Sequence, residues 1–495
     1  MKKALNQKIY KALSEIVGEN YIAATPLTTF AYFQDASIFG GTQAEMVVRP
    51  GSTEEVSKIV ALANQHRIPL IVRGGGASIY GQPKGSPGSN LLIDMARMNK
   101  VLTINPESFT VTTQCGIIMG KLQYECRKEG FYIFAPFAPL HIVSLGGWIA
   151  GAAGAAGLWR DIISLTIVLP DGTIVKTGGG PGTNIHQSLF YNRNLGGPDF
   201  TGLFIGDGGS FGIKTEATVR ITKFPTVMRV SIFEFNELSK VLAMVKCHLE
   251  RVDPHPFDPI MVFGPGAMKN FMPEFGEINS FIAQGIMQGH TEKEMDAKHE
   301  VFNALAVELG GTRTPMLDAM AEVMTSSTSG ESGMEMDWLK LFNVLGLPAW
   351  LPFTLPREGF LDVYNKLIAW RNARLEEAHK RGFEYGGTWE FFTPSDSSTL
   401  IGEIDSFFKD AGNPEVVSFV QTMMRDFQEY AHQLGSIDVY NQGLMSNLHA
   451  LYWPDGFKHL YTTIKASLDP NNILNPDLWT SQKHPGRRPR RKIKK

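Results

Sequence analysis

Residues 68–81 read IPLIVRGGGASIYG, a short apolar strand that runs straight into three consecutive glycines, Gly74–Gly76, and then Ser78. Glycines in a row leave the backbone bare, so its N–H groups can close on a phosphate without Cβ obstruction. Two familiar phosphate cradles fail here. A Walker loop needs a Lys-Ser or Lys-Thr pair closing a longer glycine frame, and none follows. A Rossmann fingerprint needs the loop to open a helix. The next residues, GQPKGSPGSN (81–90), cannot be helical. Asp94 stands where a ribose-binding acid would sit, but with no helix in between its position is a coincidence. The glycine loop is a third kind of cradle.

Working outward, Met46–Pro50 reads as a strand and Ser52-Thr53-Glu54-Glu55 as the cap and acidic first turn of a helix to about Gln65. Pro69–Val72 is the strand that delivers the loop. Strand signals return at 90–94, 101–104 and 110–114, and a helix at 118–130. The segment SLGGWIAGAAGAAG (144–157) is dominated by small residues, so another backbone or a ligand must approach closely. Two strands then flank the turn Pro170-Asp171-Gly172, a hairpin signal. A second glycine cluster follows at 206–212 and a closing strand runs to Ile221. Residues 45–225 therefore form one α+β unit, preceded by a helical segment (1–44). Beyond it the texture becomes strand plus long helix, repeated (230–251, 281–309), with further helices at 357–381, 414–434 and 455–467. That pattern predicts an antiparallel sheet backed by helices over 226–435. Residues 325–333, TSSTSGESG, read as a polar loop.

Composition bounds the partners. The 495 residues are 43% hydrophobic and 19% charged, with a formal net charge of −2, which excludes disorder and points to neither nucleic acid nor strongly acidic partners. Seven of the last nine residues are basic, so the tail (483–495) reads as disordered and solvated, or as a segment for an anionic surface or acidic protein. Three cysteines without a CxxC pair exclude an in-chain four-thiolate cluster, and the 12 histidines show no ligand spacing, so no metal site is expected. No stretch is long and apolar enough for a signal peptide or transmembrane helix, and cytoplasmic residence is the default expectation.

Four stretches, in order, carry a resemblance. They are VVRPGSTEEVSKIVALANQHRIPLIVRGGGAS (47–78); SLGGWIAGAAGAAG with the following RDIISLTIVLPDGTIVKTG (144–178); GPDFTGLFIGDGGSFGIKTEATVRI (197–221); and LDPNNILNP (468–476). Together they resemble the FAD-binding superfamily of vanillyl-alcohol oxidase and p-cresol methylhydroxylase, which also contains glycolate oxidase and D-lactate dehydrogenase flavoproteins. The resemblance implies an α+β fold of two FAD-binding subdomains plus an antiparallel-sheet-and-helix cap domain. A C-terminal segment (436–482) would return to the flavin. It implies non-covalent FAD, since Ala77 stands where some relatives tether the cofactor through histidine. The pyrophosphate would lie on Arg73, Gly74, Gly75, Gly76, Ala77 and Ser78. Ser144, Gly146, Gly147, Gly151 and Ala155 would line the flavin and its ribityl chain, with Pro136 in a turn close by. Gly206, Gly209, Gly212 and Ile213 match the third contacting segment, and Asn475 a position near the isoalloxazine. Close packing of backbone against backbone is the competing reading for the glycines. The chain departs from the pattern at Gly208, where relatives carry an acid.

Substrate-side candidates follow from the same comparison. The segment 436–453, SIDVYNQGLMSNLHALYW, falls where the phenol-oxidising branch holds its phenolate with a Tyr-Arg pair. Here the pair is Tyr440-Asn441, so the cation is lost, and Tyr440, His449 and Tyr452 are the acid–base candidates. In GGTWEFF (386–392) Trp389 and Phe391 share one strand face and Glu390 takes the other, either exposed or as a general base. His141 ends a turn expected near the flavin. The expected activity is oxidation of an alcohol, phenol or hydroxy acid by hydride transfer to flavin N5. The expected partners are a small, aromatic-leaning substrate, a second copy of the chain, and oxygen or a separate redox protein as acceptor. The rivals are a non-oxidising flavoenzyme of the alkyl-glycerone-phosphate synthase type and an FAD-binding electron-transfer subunit.

Overall fold

The computed structural model describes residues 2–39, 44–81, 90–133, 140–151, 160–178, 193, 198–251, 260–265, 267, 280–328, 345–394, 398–436, 443–476 and 478–479. Three β-layers organise them.

The first layer is a four-stranded sheet in the order Ile22–Ala23, Met46–Val48, Leu91–Asp94, Leu70–Arg73. Its last three strands run parallel, with Val48 opposite Ile93 and Val72 opposite Ile93. Such strands are covered on both faces, which is why MVV (46–48) and LLI (91–93) read as unbroken apolar runs. The crossover helix Thr53–His66 starts at Ser52, whose Oγ accepts the N–H of Glu55, and stops at Arg67 in the left-handed region (φ 51°). The N-terminal helix Lys2–Val17 lays Ile9, Leu13 and Val17 against Val56, Ile59 and Val60, so it shares this core.

The second layer is a five-stranded antiparallel sheet, Val101–Asn105, Thr110–Gln114, Ile213–Arg220, Ile162–Val168, Ile174–Thr177 in that order. The last two strands form the hairpin predicted around Gly172, which takes φ 92° at the turn. Helices Met119–Lys128 and Leu145–Gly151 complete its core with Leu122, Cys126, Leu145, Trp148 and Ile149. The small-residue stretch thus begins as a helix, which its glycines conceal from propensity arguments.

The third layer is a seven-stranded antiparallel sheet: Val227–Phe235, Phe281–Gly289, Ile260–Phe263, Tyr385–Pro394, Thr399–Phe408 and Leu347–Ala349, with Pro352–Pro356 also on Thr399–Phe408. Helices cover one face. Phe302 of helix Glu292–Glu308 packs on Phe233, and Phe360 and Tyr364 of helix Phe360–Lys380 pack on Phe392. Helix Pro414–Gln433 packs Phe419 on Phe408. On the opposite face Gln288 accepts from Tyr132 Oη (3.1 Å) of strand Phe131–Tyr132, which pairs with Thr222–Lys223 and packs Phe131 in the second layer's core. The polar loop expected at 325–333 starts later than predicted. Helix Pro315–Thr328 runs through its first four residues, and the Thr325 hydroxyl accepts the N–H of edge residue Val230.

After helices Gly443–Tyr452 and Asp455–Leu468 the chain returns to the first layer. Leu474 bridges Leu70 in parallel: the Leu70 N–H donates to Ile473 O (2.7 Å) and the Asn475 N–H to Leu70 O (3.0 Å). The strand that carries the glycine loop is therefore flanked by the C-terminal segment.

Candidate functional site

The three glycine-dense segments meet between the first two layers. The first loop leaves Arg73 and runs directly under Ser144 and Ile142. A Cβ on Gly74 would collide with Ser144 Oγ, and one on Gly75 with the carbonyl oxygen of Ile142. These two glycines are demanded by the approach of the second layer, so the packing reading and the cradle reading hold for the same residues. Gly76 adopts φ 73°, open to glycine without strain. Among the described residues no acceptor meets the N–H groups of Gly74, Gly75, Gly76 or Ala77, whereas Gly76 O accepts from Ala36 N (3.1 Å). Arg73 turns its guanidinium back to the carbonyls of Tyr32 and Gln34, and Ser78 Oγ donates to Gly81 O (3.0 Å). The loop offers backbone donors, and its two longest polar side chains are already engaged. Asp94 receives the Tyr32 hydroxyl (3.1 Å) and caps the next turn.

Ser144 is the cap of the small-residue helix, its Oγ accepting from Gly147 N (3.2 Å). Gly146 donates to Cys115 O (2.7 Å), against which a Cβ would press at 3.0 Å. The buried Gly151 ends that helix, and the helix end hands over to the third segment: Gly206 N donates to Ile149 O and Gly208 N to Ala150 O, both at 2.9 Å. Gly206, Gly208 and Gly209 all take positive φ. Inside this turn the buried Asp207 accepts the N–H groups of Gly209 (2.9 Å) and Phe211 (3.3 Å) and is ion-paired with buried Lys214. The carboxylate missing at 208 is thus accompanied by one at 207 that organises the loop from within. Gly212 packs on Ile167 and Phe204, and Ile213, which opens a second-layer strand, is buried in the core it shares with the first layer. Pro136 and Ala155 lie outside the described residues.

Asn475 joins all of this. It is buried, holds φ 43°, and its Nδ2 donates to the carbonyls of Gly208 (3.0 Å) and Gly209 (3.2 Å). Its Oδ1 is buried and meets no donor among the described residues. A buried acceptor without a donor is costly unless a bound molecule supplies one. Lys465 fixes the same turn through Ser210 O (2.9 Å), Leu474 O (2.8 Å) and Asp469 Oδ2 (2.7 Å). Clustered N–H donors at one end and an orphan acceptor at the other suit an elongated dinucleotide with a pyrophosphate.

On the substrate side the structure corrects one assignment. Glu390 is neither exposed nor a base facing a pocket. It is buried on the helix-covered face, paired with Arg371 Nη2 at 2.5 Å and facing Tyr364, both from helix Phe360–Lys380. Trp389 and Phe391 sit on the other, open face, with Phe263 beside Trp389 at 5.3 Å. His449 lies on the buried side of helix Gly443–Tyr452, its ring 5.0 Å from His432 and 6.4 Å from Trp479. Burial, then the neighbouring His432, pushes its pKa down to about 3, so it is a neutral imidazole at physiological pH. Its Nε2 has no hydrogen-bond partner among the described residues, and Trp479 links the cluster to the third loop by donating to Asp207 O (3.1 Å). Tyr452 is 44% exposed and stacks on the outer side of His432, and His141 is exposed. Tyr440 and Asn441 lie outside the described residues.

Comparison with known proteins agrees with this geometry. A family model for an FAD binding domain matches residues 44–178. The chain is 27% identical to a D-lactate dehydrogenase of Anaerostipes hadrus over 48% of this chain and 49% of that one. It is 27% identical to glycolate oxidase subunit GlcD of Bacillus subtilis over 45% and 46%. These matches span about half the length of those relatives. An alkyldihydroxyacetonephosphate synthase of Dictyostelium discoideum aligns at 22% identity over 87% of this chain and 72% of its own. Among solved structures, p-cresol methylhydroxylase with substrate bound superposes with a TM-score of 0.75 at 18% identity, covering 96% of each chain. A 4-ethylphenol oxidase from Gulosibacter chungangensis gives 0.74 at 20%, again over 96% of each. The fold is that of an FAD-binding domain with a second, sheet-rich domain. Residues 44–178 are similar to an FAD binding domain, the overall fold is similar to that of p-cresol methylhydroxylase, and the cofactor is FAD.

Proposed function

We propose that the chain is an FAD-dependent oxidoreductase whose substrate lies between the flavin-binding crevice and the open face of the cap sheet. The observation that carries this reading is the meeting of three FAD-type glycine segments between the first two layers; the open face of the cap sheet bears the rings of Trp389, Phe391 and Phe263. FAD, when bound, supplies the hydride acceptor for a substrate C–H bond. The protein contributes the rest. Backbone N–H groups of Gly74–Ala77 would hold the pyrophosphate, and Asn475 Oδ1 would accept a hydrogen bond from the bound cofactor. The aromatic rings exclude water and align a flat or apolar substrate. His449, neutral, takes a hydrogen bond and leaves proton removal from the substrate hydroxyl to another group, for which Tyr440 is the candidate. The reduced protein then passes two electrons to oxygen or to a separate redox protein. Anaerobic incubation with a panel of alcohols, phenols and hydroxy acids tests the reading. Bleaching of the flavin absorbance supports it, and no bleaching by any of them sinks it.

One observation favours a second reading. The alignment with alkyldihydroxyacetonephosphate synthase extends over most of both chains, while those with the dehydrogenases cover about half. A synthase-type activity joins substrates without net oxidation, so the flavin would stay oxidised after turnover. Following flavin absorbance and product together separates the two.

A further inference from the structure

The last two helices carry a surface that the reading above leaves unused. Helix Asp455–Leu468 has Phe457, Leu460, Tyr461, Ile464 and Leu468 at helical spacing, yet none of its residues is fully buried. Tyr461, Ile464 and Leu468 turn inward and pack against the core of the second layer. Phe457 and Leu460 lie on the outer flank and join Leu451 and Tyr452 at the end of the preceding helix. These four side chains are between 44% and 54% exposed. The patch is continuous, since the Trp453 ring meets Phe457 at 4.7 Å and Lys458 Nζ donates back to Leu451 O (3.3 Å). Single exposed apolar residues are ordinary, whereas four from one stretch at one corner mark a contact surface.

The rim of this corner is close to neutral. Lys458 and His459 stand on the helix, with Asp455 in its first turn and Glu429 beside Tyr452. Positive charge comes from the chain that follows. Trp479, the last described residue, stacks on Trp453 at 4.9 Å, so the chain leaves the described residues next to the patch. Residues 480–495 contain no acid, and seven of the nine from Arg487 onward are basic. The step from Trp479 to Arg487 can span up to about 28 Å, against a length of about 21 Å for helix Asp455–Leu468. The basic stretch can therefore reach every edge of the patch.

We propose that this corner docks on an anionic lipid surface, with Leu451, Tyr452, Phe457 and Leu460 entering the headgroup layer and the basic stretch 487–495 lying on the lipid charges. The pairing of the two features selects this occupant. An acidic protein would match the basic stretch and leave the apolar corner uncovered. A second copy meeting the corner symmetrically would bring a second basic stretch to it, and like charges repel. A lipid surface takes both. Aromatic rings and leucines sit at the boundary of headgroups and acyl chains, and each basic residue near anionic headgroups adds to the attraction. Either signal alone gives weak, reversible binding, and the two together anchor. Among the described residues no helix is long and apolar enough to cross a membrane, so the contact is with the surface. Docking of this kind is independent of the reaction at the flavin.

Flavin-loaded full-length protein, sedimented with vesicles, tests it. Binding to vesicles of phosphatidylcholine with phosphatidylserine should be at least about tenfold tighter than to phosphatidylcholine alone, and should weaken as salt is raised. Phe457→Ser combined with Leu460→Ser should lower that binding by about tenfold or more, and so should removal of 487–495. Leu451→Ser, on the other helix, should weaken it in the same direction. Flavin absorbance and melting temperature should be unchanged in each variant, which keeps a folding defect apart from a docking defect. No binding to the anionic vesicles, equal binding to both kinds, or binding that survives loss of the apolar side chains overturns the proposal. Capture of polyglutamate while anionic vesicles are ignored would point to an acidic protein instead. A lipid-free dimer that the serine variants break, seen by light scattering, would make the corner an interface between copies. Either result overturns the proposal too.

Discussion

At the residue scale, Gly75 is the position where the smallest change should do most. A single added methyl meets a backbone carbonyl, Ile142 O, that no rotamer can relieve. Gly75→Ala should separate the two layers locally, costing about 1–3 kcal/mol of stability. The purified protein should lose most of its yellow colour, which a visible spectrum and a melting curve check together. Retention of full flavin content would show that the loop has room the structure does not display. Glu390 offers the converse test. With Arg371 left as a buried cation, Glu390→Gln should cost about 3 kcal/mol of stability. Turnover per folded molecule should stay close to wild type, because the residue faces the helices. A collapse of kcat in protein that still binds flavin and melts normally would restore Glu390 as a base.

At the element scale, helix Gly443–Tyr452 decides how the protein answers to acid. His449 is held neutral, its pKa moved from 6.5 down to about 3, so the unfolded chain binds a proton that the folded chain refuses. The stability this brings is complete above about 6.5 and is lost as pH falls toward about 3, at roughly 1.4 kcal/mol per pH unit. His432, also lowered by burial, adds in the same direction. His449→Gln should flatten the dependence of the melting temperature on pH in this window. An unchanged slope would remove His449 from the account. This helix also marks where sequence reading stops. The strands, crossover helix and hairpin around the glycine loops were legible because their periodicity and turn residues are local. The two long cap helices were legible for the same reason. Strand Thr399–Phe408 was not, since it is buried on both faces and has no alternation to betray it. Glu390 was misread because the face of a strand says nothing about which layer covers that face. The Asp207–Lys214 pair left no sequence signal either, since its partners seven residues apart meet only when the turn is folded.

At the scale of the whole molecule, the crevice is built from segments 407 residues apart in the chain. Removing the basic stretch 487–495 should leave flavin content and melting temperature unchanged. Removing everything from Asp469 should abolish flavin binding, because Leu474 and Asn475 pair with the strand that bears the first loop and with Gly208 and Gly209. Flavin retained after the longer truncation would mean that the C-terminal segment is an ornament of the site.

The bridge between Leu70 and Leu474 has a bearing on how the protein comes into being. Beside it, Asn471 donates to Asn64, a partner 407 residues earlier in the chain. Contacts of such separation form late and slowly, after the local hairpins and helices. During synthesis the first sheet can assemble while its outer edge still lacks this neighbour, since domains fold from the N-terminus onward as the ribosome proceeds. The nascent cradle would stand open on that side until Leu474 and Asn475 have been made and paired. Cofactor capture then waits for this segment to dock, and a supply of FAD at that moment decides how much of the newborn protein becomes holoprotein.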